Sequence, residues 1–157
     1  MSASLQLALG KGELTLQSTD PHVQPNLNYN YYQDEAGEDL RRMREAIRLG
    51  VRIAESSNFS DLLLDRIMPS DEELRSDDLL DEWLRRNSGT SHHVSGTCKM
   101  GPDSDPTTVV DQFLRVKGVQ GLRVADASVM PDCIRANTNA TTIMIGEKVA
   151  DFIREGR

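Results

Sequence analysis

The chain has 157 residues, enough for a domain that buries about 70% of the surface its unfolded form exposes. Its net charge of −7 argues against a nucleic-acid or anionic-membrane partner, because both bind basic surfaces. Two cysteines do not make a disulfide framework, no segment approaches the roughly 20 apolar residues that span a bilayer, and the opening MSASLQLALG lacks the basic start of a signal peptide. These features predict a soluble, cytoplasmic protein without a membrane span.

The first part of the chain predicts two strands. Residues 13–18 (ELTLQS) alternate apolar and polar side chains, which is the period of a half-buried strand, and residues 26–32 (NLNYNYY) alternate in the same way. The two strands could pair. Their connection contains two prolines, however, so it is not a tight hairpin.

The apolar period then changes to that of helices. A one-sided apolar stripe predicts an amphipathic helix over residues 38–57, and residues 61–67 predict a further short helix. Ser70 and Glu73 fit a capping box, in which each side chain binds a free backbone amide of the other residue. The helix that follows has a buried face formed by Leu79, Leu80, Trp83 and Leu84.

The last part of the chain predicts short strands and one final helix. Residues 108–111, 113–116 and 122–125 are strand-like, and a helix begins near Ala140 and continues through Phe152. The order of strands, helices, strands and helix favours an α+β fold with an antiparallel sheet and covering helices.

The segment SHHVSGTCKMG, residues 91–101, is the richest in reactive side chains. His92, His93 and Cys98 are possible metal ligands, but neighbouring histidines project apart and a closed zinc site needs four ligands. The phosphate-binding pattern GxxxxGK[ST] is absent. Both histidines could be ordinary loop residues, or one could be a general base, since a neutral imidazole accepts a proton near pH 7. The segment alone leaves these alternatives open.

Three longer stretches, HHVSGTCKMGP, VVDQFLRVKGVQGLRVADASVMP and NTNATTIMIGEKVADFI, carry a family resemblance. Together they resemble the C-terminal region of the glucose–methanol–choline (GMC) oxidoreductases, flavoenzymes that oxidise alcohols, and most of all the choline-dehydrogenase-like branch. The stretch ELTLQSTDP, residues 13–21, extends the resemblance to nearly the whole chain.

The resemblance implies roles for individual residues. The reacting histidine falls on His93, which would take the hydroxyl proton while the hydride passes to the flavin. The second polar position facing the substrate oxygen falls on Asn137. The implied FAD contacts are Asp126, Ala127, Thr138 and Asn139, and no metal is implied. Asn139 is also a favourable type for the N-cap of the last helix.

The sequence departs from the family pattern beside the reacting histidine. Val94 stands where the family usually has a proline, and His92 stands where many members have an aromatic residue. Neither change removes a catalytic group. They leave the choice of alcohol open.

The dinucleotide-binding motif GxGxxG does not occur in this sequence. The resemblance therefore implies that residues 1–118 form the substrate-binding region. Residues 119–157 would be a terminal strand and helix that complete an FAD-binding domain missing from the chain. We expect most of the FAD to be bound by that missing part, and the chain alone to be inactive.

The strand at residues 122–125 would then lack its neighbours in the sheet, and unpaired strand edges need a partner. We expect an alcohol substrate, and a separate FAD-binding chain or self-association that covers this edge, or else mobility of residues 119–157. The alternatives are a non-catalytic binding or assembly module of the same fold and a truncated fragment of the family.

Overall fold

The computed structural model describes residues 2–157, apart from the side chain of Ser60. They form two compact units, of which the first ends at Gly89 and the second is Thr90–Arg157. Each unit has its own apolar core. The family resemblance predicts a different boundary, between residues 118 and 119, which would separate the substrate-binding region from the part that completes the FAD-binding domain. That boundary stays a prediction.

The first unit begins with a small antiparallel sheet. Strand β1 (Glu13–Thr15) pairs with β2 (Asn26–Asn28), with Leu14 opposite Leu27. A side chain at Gly12 would place its Cβ 2.5 Å from the carbonyl oxygen of Asn28, so only glycine allows the chains to approach this closely. The two predicted strands and their pairing are confirmed. Both are shorter than predicted, and after β2 the backbone turns through a positive φ at Asn30.

Three helices follow in the first unit, α1 (Glu38–Ala54), α2 (Asp71–Leu74) and α3 (Asp77–Asn87). Leu40 of α1 packs with Leu80 and Leu84 of α3 to form the core of this unit. The predicted capping box is confirmed at α2, where Ser70 Oγ accepts from the Glu73 backbone N–H and Glu73 Oε2 accepts from that of Ser70.

The prediction of a helix over residues 61–67 is wrong. The structure has one 3₁₀ turn, Ser60–Leu62, and continues in extended form from Leu63. Leu64 is fully exposed and Ile67 is 88% exposed. No apolar face is buried here, and short helices depend on such burial because their own backbone bonds barely stabilise them.

The second unit contains turns, isolated bridges and one long helix, α4 (Asn139–Arg154). Val110 forms a parallel bridge with Met100 and an antiparallel bridge with Val116, and Arg115 bridges Arg123. The three short strands predicted here are therefore only single bridges. The positive φ angles at Leu114, Gly118 and Gly121 turn the chain too often for longer ladders.

The core of the second unit joins these turns to α4, through Val110, Leu114, Val129, Met130 and Ile145. The small antiparallel sheet and four helices agree with the predicted α+β class. Within residues 2–157, no helix combines the length and apolar character that a bilayer crossing requires.

Candidate functional site

The segment that follows the two histidines is fixed by backbone hydrogen bonds. The N–H groups of Gly96, Cys98 and Met100 donate to the carbonyls of three consecutive residues, 127 to 129, over 3.4, 2.9 and 2.9 Å. Gly96 has a φ of 86°, a conformation that favours glycine. These bonds tie the segment to the 3₁₀ turn Ala127–Val129.

The side chain of His93 meets the residues just before α4. Its Nε2 lies 3.1 Å from Asn137 Oδ1, and its Nδ1 lies 3.3 Å from Thr138 Oγ1. Asn137 is exposed, the imidazole is half-buried, and Thr138 is only 8% exposed. The structure thus brings together three of the predicted site residues, although His93 and Asn137 are 44 positions apart in the sequence.

His92 differs from its neighbour. It is exposed, its φ is 63°, and its backbone N–H donates to Thr90 Oγ1 over 3.0 Å. Among residues 2–157, its ring has no hydrogen-bond partner. Within the same described part of the chain, no three His, Cys, Asp or Glu side chains are grouped so that they could hold a metal ion.

The N-terminus of α4 presents free donors beside this cluster. The N-cap is Thr138, whose carbonyl accepts from both the backbone N–H and Oγ1 of Thr142, each over 2.9 Å. Asn139 is the first helical residue, so its predicted role as N-cap is wrong. The N–H groups of residues 139–141 have no hydrogen-bond partner among the described residues, as expected for a first helical turn. This end of α4 also carries the positive end of the helix dipole.

Asp126 and Ala127 line a cleft of about 320 Å³ on the same unit. Asp126 Oδ1 accepts from the Ser128 backbone N–H over 2.8 Å and thereby caps the 3₁₀ turn. The other residues of the cleft wall are Val94, Ser95, Thr97, Ser128 and Thr142. The sequence did not point to Ser128 or Thr142. The sequence feature that could have indicated them is spacing: Ser128 stands two positions after Asp126, and Thr142 stands four positions after Thr138.

Comparison with known proteins gives consistent results. A family model described as GMC oxidoreductase, for the C-terminal domain, matches residues 8–146. The chain is 44% identical over 144 residues to an oxygen-dependent choline dehydrogenase of Escherichia coli, covering 92% of this chain and 25% of that protein. It is equally identical over the same length to an uncharacterised GMC-type oxidoreductase of Mycobacterium tuberculosis, of which it covers 27%.

Solved structures give a similar result. A formate oxidase of Aspergillus oryzae, in a variant studied for FAD modification, matches with a TM-score of 0.81 and 34% identity, over 94% of this chain and 25% of that one. The chain therefore spans about a quarter of the length of these relatives. The family model covers most of the chain and the relatives agree with it, so the resemblance is confirmed: the chain belongs to the glucose–methanol–choline oxidoreductase family of FAD-dependent enzymes and carries their C-terminal domain.

Proposed function

We propose that this chain is the C-terminal catalytic region of an FAD-dependent alcohol oxidoreductase, with His93 as general base and Asn137 as the group that holds the substrate oxygen. The observation that carries the proposal is the 3.1 Å separation of His93 Nε2 and Asn137 Oδ1. Asn137 is exposed and His93 is half-buried, so a hydroxyl group can approach both side chains from solvent.

The chemistry assigned to this chain is proton transfer and charge stabilisation. Nε2 is the ring nitrogen available to an alcohol, because Nδ1 faces the buried Thr138. The neutral imidazole takes the hydroxyl proton at Nε2. The Asn137 amide donates a hydrogen bond to the alcohol oxygen as negative charge develops there, an interaction that strengthens when water is excluded. FAD, when bound, supplies the acceptor for the hydride that leaves the alcohol carbon.

The residues around the start of α4 fit FAD chemically. The pyrimidine edge of the flavin presents carbonyl oxygens and a ring nitrogen as acceptors, and the three unpaired N–H groups of residues 139–141 are donors. Thr138 and Asn139 begin this helix, and Asp126 and Ala127 line the cleft. We infer that these four residues contact the cofactor.

Most of the FAD would be held outside this chain. We infer that residues 119–157 complete an FAD-binding domain, and that residues 1–118 form the substrate-binding region. In residues 119–157, large apolar side chains are half or more exposed, namely Val119, Leu122, Ile143, Met144 and Ile153. An exposed apolar surface of this kind supports the inference that an FAD-binding part or a second copy of the chain covers it. We expect the chain to be inactive when that surface is uncovered.

We also propose a cytoplasmic location. Cys98 and Cys133 are both unpaired in the structure, as is usual for proteins of a reducing compartment.

The test is a reconstituted enzyme, in which this chain replaces the C-terminal quarter of the E. coli choline dehydrogenase behind that protein's FAD-binding part. Choline and aryl alcohols are the first substrates to assay, because the E. coli relative is named a choline dehydrogenase and one similar solved structure is that of a fungal aryl-alcohol oxidase. We expect His93→Ala to lower kcat by about 10²- to 10⁴-fold with the FAD content unchanged.

His92→Asn is the matched control, because asparagine tolerates the positive φ at this position. We expect it to leave kcat nearly unchanged. A His93→Ala enzyme as fast as the parent, or an equal loss in both variants, would reject His93 as the base.

A further inference from the structure

Thr138 stands at the start of α4, but the helix does not use its hydroxyl. An N-cap threonine ordinarily accepts from the N–H of the second or third helical residue. The Thr138 side chain makes no such bond, and its φ of −75° and ψ of −14° are helical rather than extended. Its Oγ1 instead lies 3.3 Å from His93 Nδ1. The residue is 8% exposed, so water competes little for this contact.

The two nitrogens of the His93 ring have different neighbours. In a neutral imidazole one nitrogen carries the hydrogen and the other accepts, and a hydroxyl can serve either one. A base at Nε2 needs its lone pair on that atom, so the hydrogen must be on Nδ1. Among the described residues, Thr138 Oγ1 is the one hydrogen-bonding atom that Nδ1 meets.

We propose that Thr138 is a positioning residue for His93: its hydroxyl accepts a hydrogen bond from Nδ1–H and so keeps the lone pair of the neutral ring on Nε2, beside Asn137. This inference rests on the proposed function, because it names the group that prepares the base. Without the hydroxyl, the neutral ring is free to place its hydrogen on Nε2, where it cannot accept the substrate's proton.

The same contact serves the ring after proton transfer. Once Nε2 holds the proton, both ring nitrogens carry hydrogen, and the oxygens that can accept from them are Asn137 Oδ1, which lies 3.1 Å from Nε2, and Thr138 Oγ1, which lies 3.3 Å from Nδ1. Before the alcohol binds, Nε2 of the neutral ring has no hydrogen to give to Oδ1, so the Asn137 amide turns about its own bond and brings Nδ2 to Nε2. The alcohol hydroxyl then replaces Nδ2 at Nε2, and the Asn137 amide donates to the alcohol oxygen instead. Thr138 therefore holds the ring in both states while only the amide turns.

The experiment reads the tautomer directly and needs no flavin. The full chain, labelled with ¹⁵N in its three histidines, is studied by long-range ¹H–¹⁵N correlation at a pH where titration of the same spectrum shows a neutral ring. Substitution of His22 and His92 assigns the remaining signals to His93. Thr138→Val removes the hydroxyl at nearly constant shape, and Thr138→Ser keeps it.

We expect the lone pair on Nε2 in the parent chain and in Thr138→Ser, and a shift of the hydrogen towards Nε2 in Thr138→Val. Thr142→Val is the matched control. Its hydroxyl binds the Thr138 carbonyl and not the histidine, so the tautomer should stay as in the parent. Hydrogen on Nε2 in the parent, or the same tautomer in Thr138→Val, would overturn the inference. A serine variant that behaves like valine would overturn it too.

Kinetics of the reconstituted enzyme separate this inference from the proposed function. We expect Thr138→Val to lower kcat about tenfold, the effect of one lost hydrogen bond, with KM little changed and with rescue by Thr138→Ser. If the tautomer shifts as expected but His93→Ala does not slow the enzyme, the proposed function fails. If His93→Ala slows it and the tautomer is insensitive to Thr138, the inference alone fails.

Discussion

The two compact units are each stabilised internally by a different kind of interaction. In the first unit, two long helices pack their apolar stripes and join their polar faces through ion pairs, such as Arg44 with Asp81 at 2.8 Å. In the second unit, backbone–backbone hydrogen bonds join the turns. A charged side chain also binds the backbone there, since Lys117 Nζ donates to the carbonyl of Pro102 over 2.8 Å. Side-chain pattern thus determines the first unit, whereas backbone geometry determines the second, which contains the candidate site.

The largest effect that would test this contrast is a cavity in the first core. Leu80 is completely buried between α1 and α3, so Leu80→Ala should lower the stability of the first unit by about 2–5 kcal/mol. Hydrogen exchange resolved by peptide should show faster exchange in α1 and α3. Leu64→Ala, at a fully exposed position, is the control and should change stability little. If hydrogen exchange became equally faster across Thr90–Arg157, the second unit would depend on the Leu80 core as much as the first, and the contrast between the units would be contradicted.

A smaller effect is expected from a single methyl group in the second unit. A Cβ at Gly101 would come within 2.4 Å of Thr108 Cγ2, so Gly101→Ala should destabilise this unit by about 1–3 kcal/mol through overpacking. Thermal unfolding followed by circular dichroism measures the change. Gly146→Ala in α4 is the matched control, because a Cβ there meets nothing within 4 Å, and it should be neutral or slightly stabilising. Equal behaviour of the two variants would contradict the importance of backbone spacing in this unit.

The smallest effect concerns the capping box of α2. The backbone N–H of Ser70 donates to Glu73 and holds the pKa of that carboxyl below its usual range. A carboxyl whose pKa is lower in the folded state stabilises the fold above its ordinary pKa, and this contribution disappears as the pH falls through the lowered value.

Glu73→Gln should therefore lower the melting temperature slightly at neutral pH, with a difference from the parent that shrinks in acid. Melting curves at a series of pH values measure it. The control is Glu147→Gln, at an exposed position of α4 whose carboxylate has no hydrogen-bond or ion-pair partner among residues 2–157, and it should change the melting temperature little. A difference for Glu73→Gln that is constant with pH would contradict the assigned cause.

The parts of the fold that were predictable are those in which local pattern decides structure. The stripe of α1 and α3 and the Ser70–Glu73 box needed only spacing and residue type. Residues 61–67 have helical spacing, yet only one 3₁₀ turn forms there and the chain is extended from Leu63, because nothing buries Leu64 or Ile67. Pattern predicts which face would be buried, but not whether a neighbour exists to bury it.

The candidate site shows the opposite limit. Motif text assigned His93 and Asn137, but no periodicity relates two residues 44 positions apart. Their meeting depends on the positive φ angles at Leu114, Gly118 and Gly121 and on the backbone bonds between residues 96–100 and 127–129. The contact of Thr138 with His93 was outside the reach of the sequence for the same reason, since a threonine before a helix ordinarily caps it.

The position of the unit boundary matters for anyone who recombines these enzymes. A crossover placed between Gly89 and Thr90 transfers His93, Asn137 and Thr138 together from the same parent enzyme. A crossover at residue 118, the boundary that we propose between the substrate-binding region and the FAD-binding part, would take the histidine from one parent enzyme and Asn137 and Thr138 from another. Chimeric libraries cut at the first point should therefore retain far more working members than libraries cut at the second.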